Sequence, residues 1–115
     1  MDNYNKVIVW DLDNSLACAE HRSYLAENKQ WEEFSEACIY DTPIQSTIEL
    51  LREQKKQGYQ IFIYTGRDSG QEDVTRGQFK KWGIPCDELR MWRPEQKIPS
   101  AYLKAAWIKK YIVED

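Results

Sequence analysis

The sequence predicts an α/β protein, a three-layer α/β/α sandwich around a parallel, Rossmann-like sheet. Two observations carry this. Short apolar runs rich in β-branched and aromatic residues alternate with longer amphipathic segments, and glycine or proline punctuates the junctions. Strand, insert, helix, strand, helix, strand, helix is the order of βαβ units, which close with right-handed crossovers. Sheets of this kind place their chemistry outside the carboxyl ends of the strands.

The 115 residues suit one domain, 1–115, with a small insert at about 17–40. A chain of this length buries roughly two-thirds of its unfolded surface. Hydrophobic residues at 42% and charged residues at 30% are those of a soluble globular protein. A net charge of −3 gives no field for capturing long nucleic acid, but leaves room for a basic pocket that takes one phosphate. No apolar run is long enough to span a membrane, and Met1–Lys6 lacks the pattern of a signal peptide. A cytoplasmic protein without a membrane partner is therefore expected. Cys18, Cys38 and Cys86 are scattered, with no CxxC pair, and read as core thiols.

Val7-Ile8-Val9-Trp10 is apolar on both faces, as a buried strand is, and it runs straight into Asp11 and Asp13. Residues 18–40 mix polar and apolar positions; Trp31, Phe34 and Cys38 form the stripe of a short amphipathic helix, so an insert with one or two short helices is expected. Asp41-Thr42-Pro43 offers a capping residue followed by proline in the first helical turn, and the helix runs to about Gln57 with Gly58 as its left-handed stop. Ile44, Ile48 and Leu51 mark its buried face.

Tyr59 to Tyr64 is a second buried strand, ending at Thr65-Gly66-Arg67-Asp68. Glu72 to Trp82 is a helix with acidic residues in its first turn, lysines in its last and Gly83 beyond. Pro85 to Met91 is short and charged, which suits an edge strand. Trp92 to Pro99 is a loop. The last helix opens at Pro99 or Ser100 and carries Leu103, Trp107 and Tyr111 on one face and Ala101, Ala105, Ile108 and Ile112 on another, which predicts burial against more than one neighbour.

Two carboxylates two residues apart at a strand end either cap the next turn or face one cavity. In a cavity they share a cation, and oxygen ligands of this kind suit Mg²⁺. The first carboxylate is then placed to attack phosphorus and the second to protonate the leaving oxygen. Thr65 and Gly66 occupy the corresponding turn of the next strand, where a hydroxyl and a glycine N–H meet the needs of a phosphate oxygen. Arg67 adds a bidentate contact.

With these residues the chain resembles the haloacid dehalogenase superfamily of phosphatases. Asp11-Leu12-Asp13-Asn14-Ser15-Leu16 is similar to its first motif and Thr65-Gly66-Arg67 to its second. The resemblance implies that Asp11 is a nucleophile forming an aspartyl-phosphate, that Asp13 is the general acid and base, and that Thr65 holds the phosphoryl group. It also implies Mg²⁺ on the Asp11 carboxylate and the Asp13 carbonyl. Lys104 fits the lysine of the third motif, with Lys97 as the alternative.

More closely, the pattern is similar to the 3′-phosphatase domains of phage polynucleotide kinases and their small phage and bacterial relatives. The shared features include His21-Arg22, Trp31 to Phe34, Tyr64-Thr65-Gly66-Arg67 and Met91-Trp92-Arg93-Pro94. In that branch His21, Arg22 and Arg67 approach the substrate, a phosphorylated small molecule, a nucleotide or a nucleic-acid end, beside the Gly66 N–H already read as a phosphate donor.

The chain departs from the superfamily twice. Asn14 replaces a glycine, which asparagine's access to left-handed backbone accommodates. The fourth motif, an acid after a further strand, has no room between Lys104 and Asp115 unless Ile112-Val113-Glu114-Asp115 is a compressed version of it. The third acid is then absent, borrowed from Asp68, Asp73 or Asp115, or supplied by a second chain in an oligomer. A receiver domain is disfavoured because Met91-Trp92-Arg93 stands where its phosphorylated aspartate belongs, and an EF-hand because Leu16 and Arg22 stand where glycine and glutamate are needed. The rival reading is a shortened phosphatase fold kept for binding or regulation.

Overall fold

The computed structural model describes residues 6–113, apart from the side chain of Gln96. Val7–Trp10 forms β1, and a tight turn follows in which the N–H groups of Ser15, Leu16 and Ala17 all donate to the Leu12 carbonyl. Asn14 sits in this turn at φ 63°, the left-handed conformation expected of it. Its side-chain oxygen accepts the Ala19 N–H at 3.0 Å, a bond that glycine would not provide.

The insert comprises β2 (Ala17–Cys18), α1 (Ser23–Glu27), α2 (Trp31–Glu36) and β3 (Thr42–Pro43), with 3-10 turns at Glu20–Arg22 and Ala37–Tyr40. β2 and β3 pair antiparallel, Ala17 with Pro43 and Cys18 with Thr42, and close the insert at its base. This corrects the expected helix start. Asp41 is not a cap and Pro43 is not in a first helical turn; α3 runs Gln45–Lys56 from Ile44, which makes no side-chain cap. Pairing with β2 keeps Thr42 and Pro43 extended, and a two-residue edge strand tolerates a residue without an N–H. The Asp41 carboxylate is engaged elsewhere, as described below. Gly58, at φ 98°, lies just beyond the end of α3.

β4 (Gln60–Asp68) is the central strand. It pairs in parallel with β1, from Val7–Gln60 to Trp10–Ile63, and with β5 (Glu88–Trp92), from Phe62–Glu88 to Thr65–Met91. The strand continues past the expected end at Tyr64 because an irregularity between Thr65 and Asp68 absorbs the turn residues before Asp68 pairs with Trp92. The sheet order is β1-β4-β5, with β5 at an edge as its charges predict.

α4 (Glu72–Trp82) ends at Gly83, φ 70°. The Arg52 guanidinium of α3 donates to the carbonyls of Trp82 at 2.6 Å and Gly83 at 2.8 Å, which ties the ends of the two crossover helices together. The core lies here: Ile61 and Ile63 of β4, Ile48 and Leu51 of α3, Phe79 of α4, and Leu12, Leu16 and Ile84.

α5 (Ser100–Ile108) buries Leu103 and sets the Trp107 ring edge-on to Tyr64 at 5.6 Å. The second face expected to be buried is not, since Ala101, Ala105 and Ile108 are exposed. The helix lies against β4, and among the described residues no element covers its far side. Lys109–Val113 continues as a π-helical turn, so Ile112 and Val113 are helical and not the compressed strand weighed above. Glu114 and Asp115 lie outside the described residues. Among the described residues no helix is long and apolar enough to cross a membrane.

Candidate active site

Chain direction brings the carboxyl ends of β1 and β4 to one edge of the sheet, and with them the two turns singled out from sequence. Leu12 is fully buried, which anchors the turn and leaves Asp11 and Asp13 on either side of it at the surface of a cleft. The cleft has a volume of about 1090 Å³ and is bordered by Asp11, Asp13, Thr65, Gly66, Arg67 and Lys104.

Asp11 is the open carboxylate. Its side chain is 49% exposed, and Oδ1 accepts the Lys104 ammonium at 2.7 Å. Lys97 also borders the cleft, in a left-handed conformation at φ 51°, but Lys104 is the lysine that meets Asp11. Gly66 determines how close α5 comes: a Cβ at residue 66 would lie 2.8 Å from both Cβ and Oγ of Ser100. Absence of a side chain therefore lets the first turn of α5 press on the Thr65-Gly66 turn, with Lys104 one turn further on. Thr65 is buried, and its Oγ1 accepts the Arg67 N–H at 3.0 Å.

Asp13 is held from behind. Its Oδ1 is 3.0 Å from Arg22 Nη2 and 3.1 Å from Arg67 Nη2. Both guanidinium groups also converge on Asp41, whose side chain is fully buried. Arg22 grips it through Nε at 2.9 Å and Nη2 at 2.8 Å, Arg67 through Nη2 at 2.9 Å, and His21 Nε2 lies 2.6 Å from Oδ1. Two carboxylates and two guanidinium groups thus form a charge-balanced cluster, which is what burial of ions requires. Burial works against the charge on Arg22, but the hydrogen bond to Asp41 and the charges of Asp13 and Asp41 more than offset it and hold the group firmly protonated.

The two arginines expected to approach the substrate border the cleft, yet their hydrogen bonds end on protein. Arg22 Nη1 donates to the Phe34 carbonyl at 3.2 Å, and its guanidinium lies 4.5 Å over the Phe34 ring. Arg67 Nη1 donates to Thr75 and Gln78 of α4 at 2.8 and 2.7 Å. Arg67 Nε is buried without a partner among the described residues. His21, also expected to approach the substrate, is absent from the cleft wall; it lies against Asp41 with 38% of its side chain exposed.

Asp41 is the member of this cluster that sequence reading missed. An acid before Thr-Pro has a ready local explanation as a helix cap, and nothing in its neighbours contradicts that. The available signal was distant: two arginines near an active site need a counter-ion once buried.

A Mg²⁺ ion fits the donors in part. Asp11 offers an open hard oxygen, and the Asp13 carbonyl receives none of the turn's N–H donors: those of Ser15, Leu16 and Ala17 go to Leu12 and that of Asn14 goes to the Ala17 carbonyl. Among the described residues no three His, Cys, Asp or Glu side chains converge. Asp68 borders the cleft, with Oδ1 accepting the Gly70 N–H at 2.7 Å, whereas Asp73, in the first turn of α4, is absent from the cleft wall; Asp115 lies outside the described residues. Mg²⁺ commonly takes one or two carboxylates and fills its sphere with water and substrate phosphate, so two protein donors suffice for a substrate-dependent ion.

The cysteines are free, and burial keeps the thiols of Cys38 and Cys86 protonated, with Cys86 pushed up to about 11. That state suits packing and not nucleophilic chemistry.

No protein-family model and no curated protein matches this chain. Solved structures do. A chain of the Pnkp1/Rnl/Hen1 complex superposes with a TM-score of 0.77 at 20% identity, covering 96% of this chain. A chain of the Pnkp1/Rnl/Hen1 RNA repair complex superposes with a TM-score of 0.75 at 22% identity, covering 92% of this chain. The present chain spans about a third of either, 36% and 31% of their lengths. At these identities the likeness establishes a shared fold.

Proposed function

We propose that this chain is a haloacid dehalogenase-like, Mg²⁺-dependent phosphomonoester hydrolase acting on a nucleotide or on the terminal (3′) phosphate of a polynucleotide. The observation that carries the reading is the Lys104–Asp11 contact at 2.7 Å, on a carboxylate half open to a cleft that Thr65 and Gly66 also border. An exposed ion pair contributes little to folding, so its cost in side-chain order is better accounted for by chemistry than by stability. The shared fold with chains of an RNA repair complex supports a nucleic-acid end as substrate.

In the proposed reaction the free oxygen of Asp11 attacks phosphorus in line, forming an aspartyl-phosphate as the leaving oxygen departs. Lys104 neutralises charge shared between Asp11 and the phosphoryl oxygens, while the Thr65 hydroxyl and the Gly66 N–H bind those oxygens. Asp13 donates a proton to the leaving oxygen and then takes one from the water that hydrolyses the acyl-phosphate. Oδ2 is the oxygen that carries this transfer, because Oδ1 is held by Arg22 and Arg67. Those arginines, clamped by Asp41, fix the Asp13 rotamer at the end of the β1 turn. The Asp11 carboxylate and the Asp13 carbonyl would hold Mg²⁺, which when bound would supply charge neutralisation on the phosphate.

Phosphate release from nucleotides and 3′-phosphorylated oligonucleotides with Mg²⁺ tests this. Turnover is expected, abolished by chelator and by Asp11→Asn. Activity absent throughout, or unaffected by Asp11→Asn, overturns it. A second reading, a phosphatase fold that binds without turnover, is favoured by the absence of a converging third acid among the described residues. It requires oligonucleotide binding with no phosphate release.

A further inference from the structure

We propose that Trp31 is the stacking platform for the base next to the scissile phosphate, so that the insert selects an unpaired terminal nucleotide. This rests on the phosphatase reading and adds the part of the substrate that the insert recognises. Trp31 opens α2 and borders the cleft with 59% of its surface exposed, a large apolar ring left in water beside the site. Its neighbour Phe34 is already committed: the Arg22 guanidinium covers its ring at 4.5 Å, and the two rings meet edge to face at 6.0 Å. Phe34 thereby props Trp31 and leaves it free for a ligand.

The platform is tied to the chemistry. Arg22 donates to the Phe34 carbonyl and also holds Asp13, so α2 is indexed to the catalytic turn by one side chain. Away from Asp11, Asp13, Asp68 and the two arginines, the charges on the cleft wall are divided between its two sides. Glu32 and Glu36 accompany Trp31 on α2, whereas Lys97 and Lys104 come from the segment after β5. A phosphate backbone is repelled by the first group and attracted by the second, which turns the uncharged base toward α2. Carboxylates there are acceptors for exocyclic amino groups, and an indole stacks on any base without reading its identity. A volume of about 1090 Å³ accommodates a nucleotide turned inward. A terminal base still paired in a duplex has its Watson–Crick edge and inner face engaged, so it cannot turn toward α2 without unpairing.

The test compares a 3′-phosphorylated oligonucleotide ending in a normal base with one ending in an abasic residue, using wild type, Trp31→Ala and Trp31→Phe. Both kcat/KM and the affinity of labelled oligonucleotide for the Asp11→Asn form are measured, the latter with and without each Trp31 change. Wild type is expected to favour the base by roughly 10-fold or more, the size of one stacking contact. Trp31→Ala should erase the preference and Trp31→Phe restore most of it. Equal losses on both substrates, or no preference in wild type, overturn the proposal while leaving the phosphatase reading intact. If neither substrate is turned over, that reading fails and the binding measurement alone decides whether Trp31 stacks a base.

Discussion

Arg22 meets Asp41 edge to edge, with Nε to Oδ1 at 2.9 Å and Nη2 to Oδ2 at 2.8 Å, and both side chains are essentially removed from solvent. Paired forks of this kind are the strong class of charge-assisted hydrogen bond. The pair joins the insert to its own base, because Arg22 precedes α1 and Asp41 precedes β3. Asp41→Asn leaves Arg22 and Arg67 short of a buried counter-charge and should destabilise the fold by about 3–5 kcal/mol in denaturant unfolding. An unchanged unfolding midpoint would show that the cluster is not the anchor of the insert.

Lys104 and Asp11 behave in the opposite way. Both are partly exposed, so Lys104→Met should alter unfolding free energy by no more than about 1 kcal/mol. In the proposed reaction the same change should lower kcat/KM by about 100-fold or more. Lys97→Met should have the smaller effect, because Lys97 forms no ion pair among the described residues.

Gly66→Ala places a methyl group 2.8 Å from Cβ and Oγ of Ser100, atoms fixed at the start of a helix. The helix must move, at about 1–3 kcal/mol for an overpacked contact. Lys104 moves with it, so activity should fall further than stability alone predicts. Ser100→Gly in the Gly66→Ala background removes the clashing atoms and should recover part of both. A Gly66→Ala protein with wild-type stability would place the contact elsewhere.

Alkaline pH should weaken the fold through two partly or fully buried groups. Burial pushes the Cys86 thiol to about 11, and burial with the Glu88 hydrogen bond pushes Tyr64 to about 12, both above their ordinary values. In the range between, the folded state holds more protons than the unfolded one, so stability falls as pH rises from about 9 to 12. At the acid end Asp87 acts in reverse. Burial raises its proton affinity, but Lys55 Nζ at 2.8 Å from both oxygens and the Ile61 N–H at 2.7 Å more than offset this and lower it. Its contribution is present above its ordinary value and lost as pH falls through the lowered one. Chemical unfolding across pH measures both limbs; stability rising between pH 9 and 12 would contradict the first.

The sequence by itself determined the alternation of strands and crossover helices, because the strands are short apolar runs and the helices between them carry amphipathic stripes with glycine stops; β1, expected to be buried, is instead half-buried at an edge of the described sheet. Gly83 and Gly58 end their helices and Asn14 turns left-handed as their chemistry requires. The meeting of the Asp11 and Thr65 turns at one sheet edge was legible too, since parallel pairing leaves no other arrangement. What only the tertiary structure decided involves partners distant in sequence. Asp41 has a plausible local use as a cap, and only the approach of Arg22 and Arg67 and the pairing of Thr42 and Pro43 with β2 reveal its use as a buried counter-ion. That Lys104 and not Lys97 meets Asp11 was likewise decided by packing, since the absence of a side chain at Gly66 lets the start of α5 lie against it. Local patterns record each residue's own preferences; the charge cluster and the lysine contact depend on which surfaces the fold presses together.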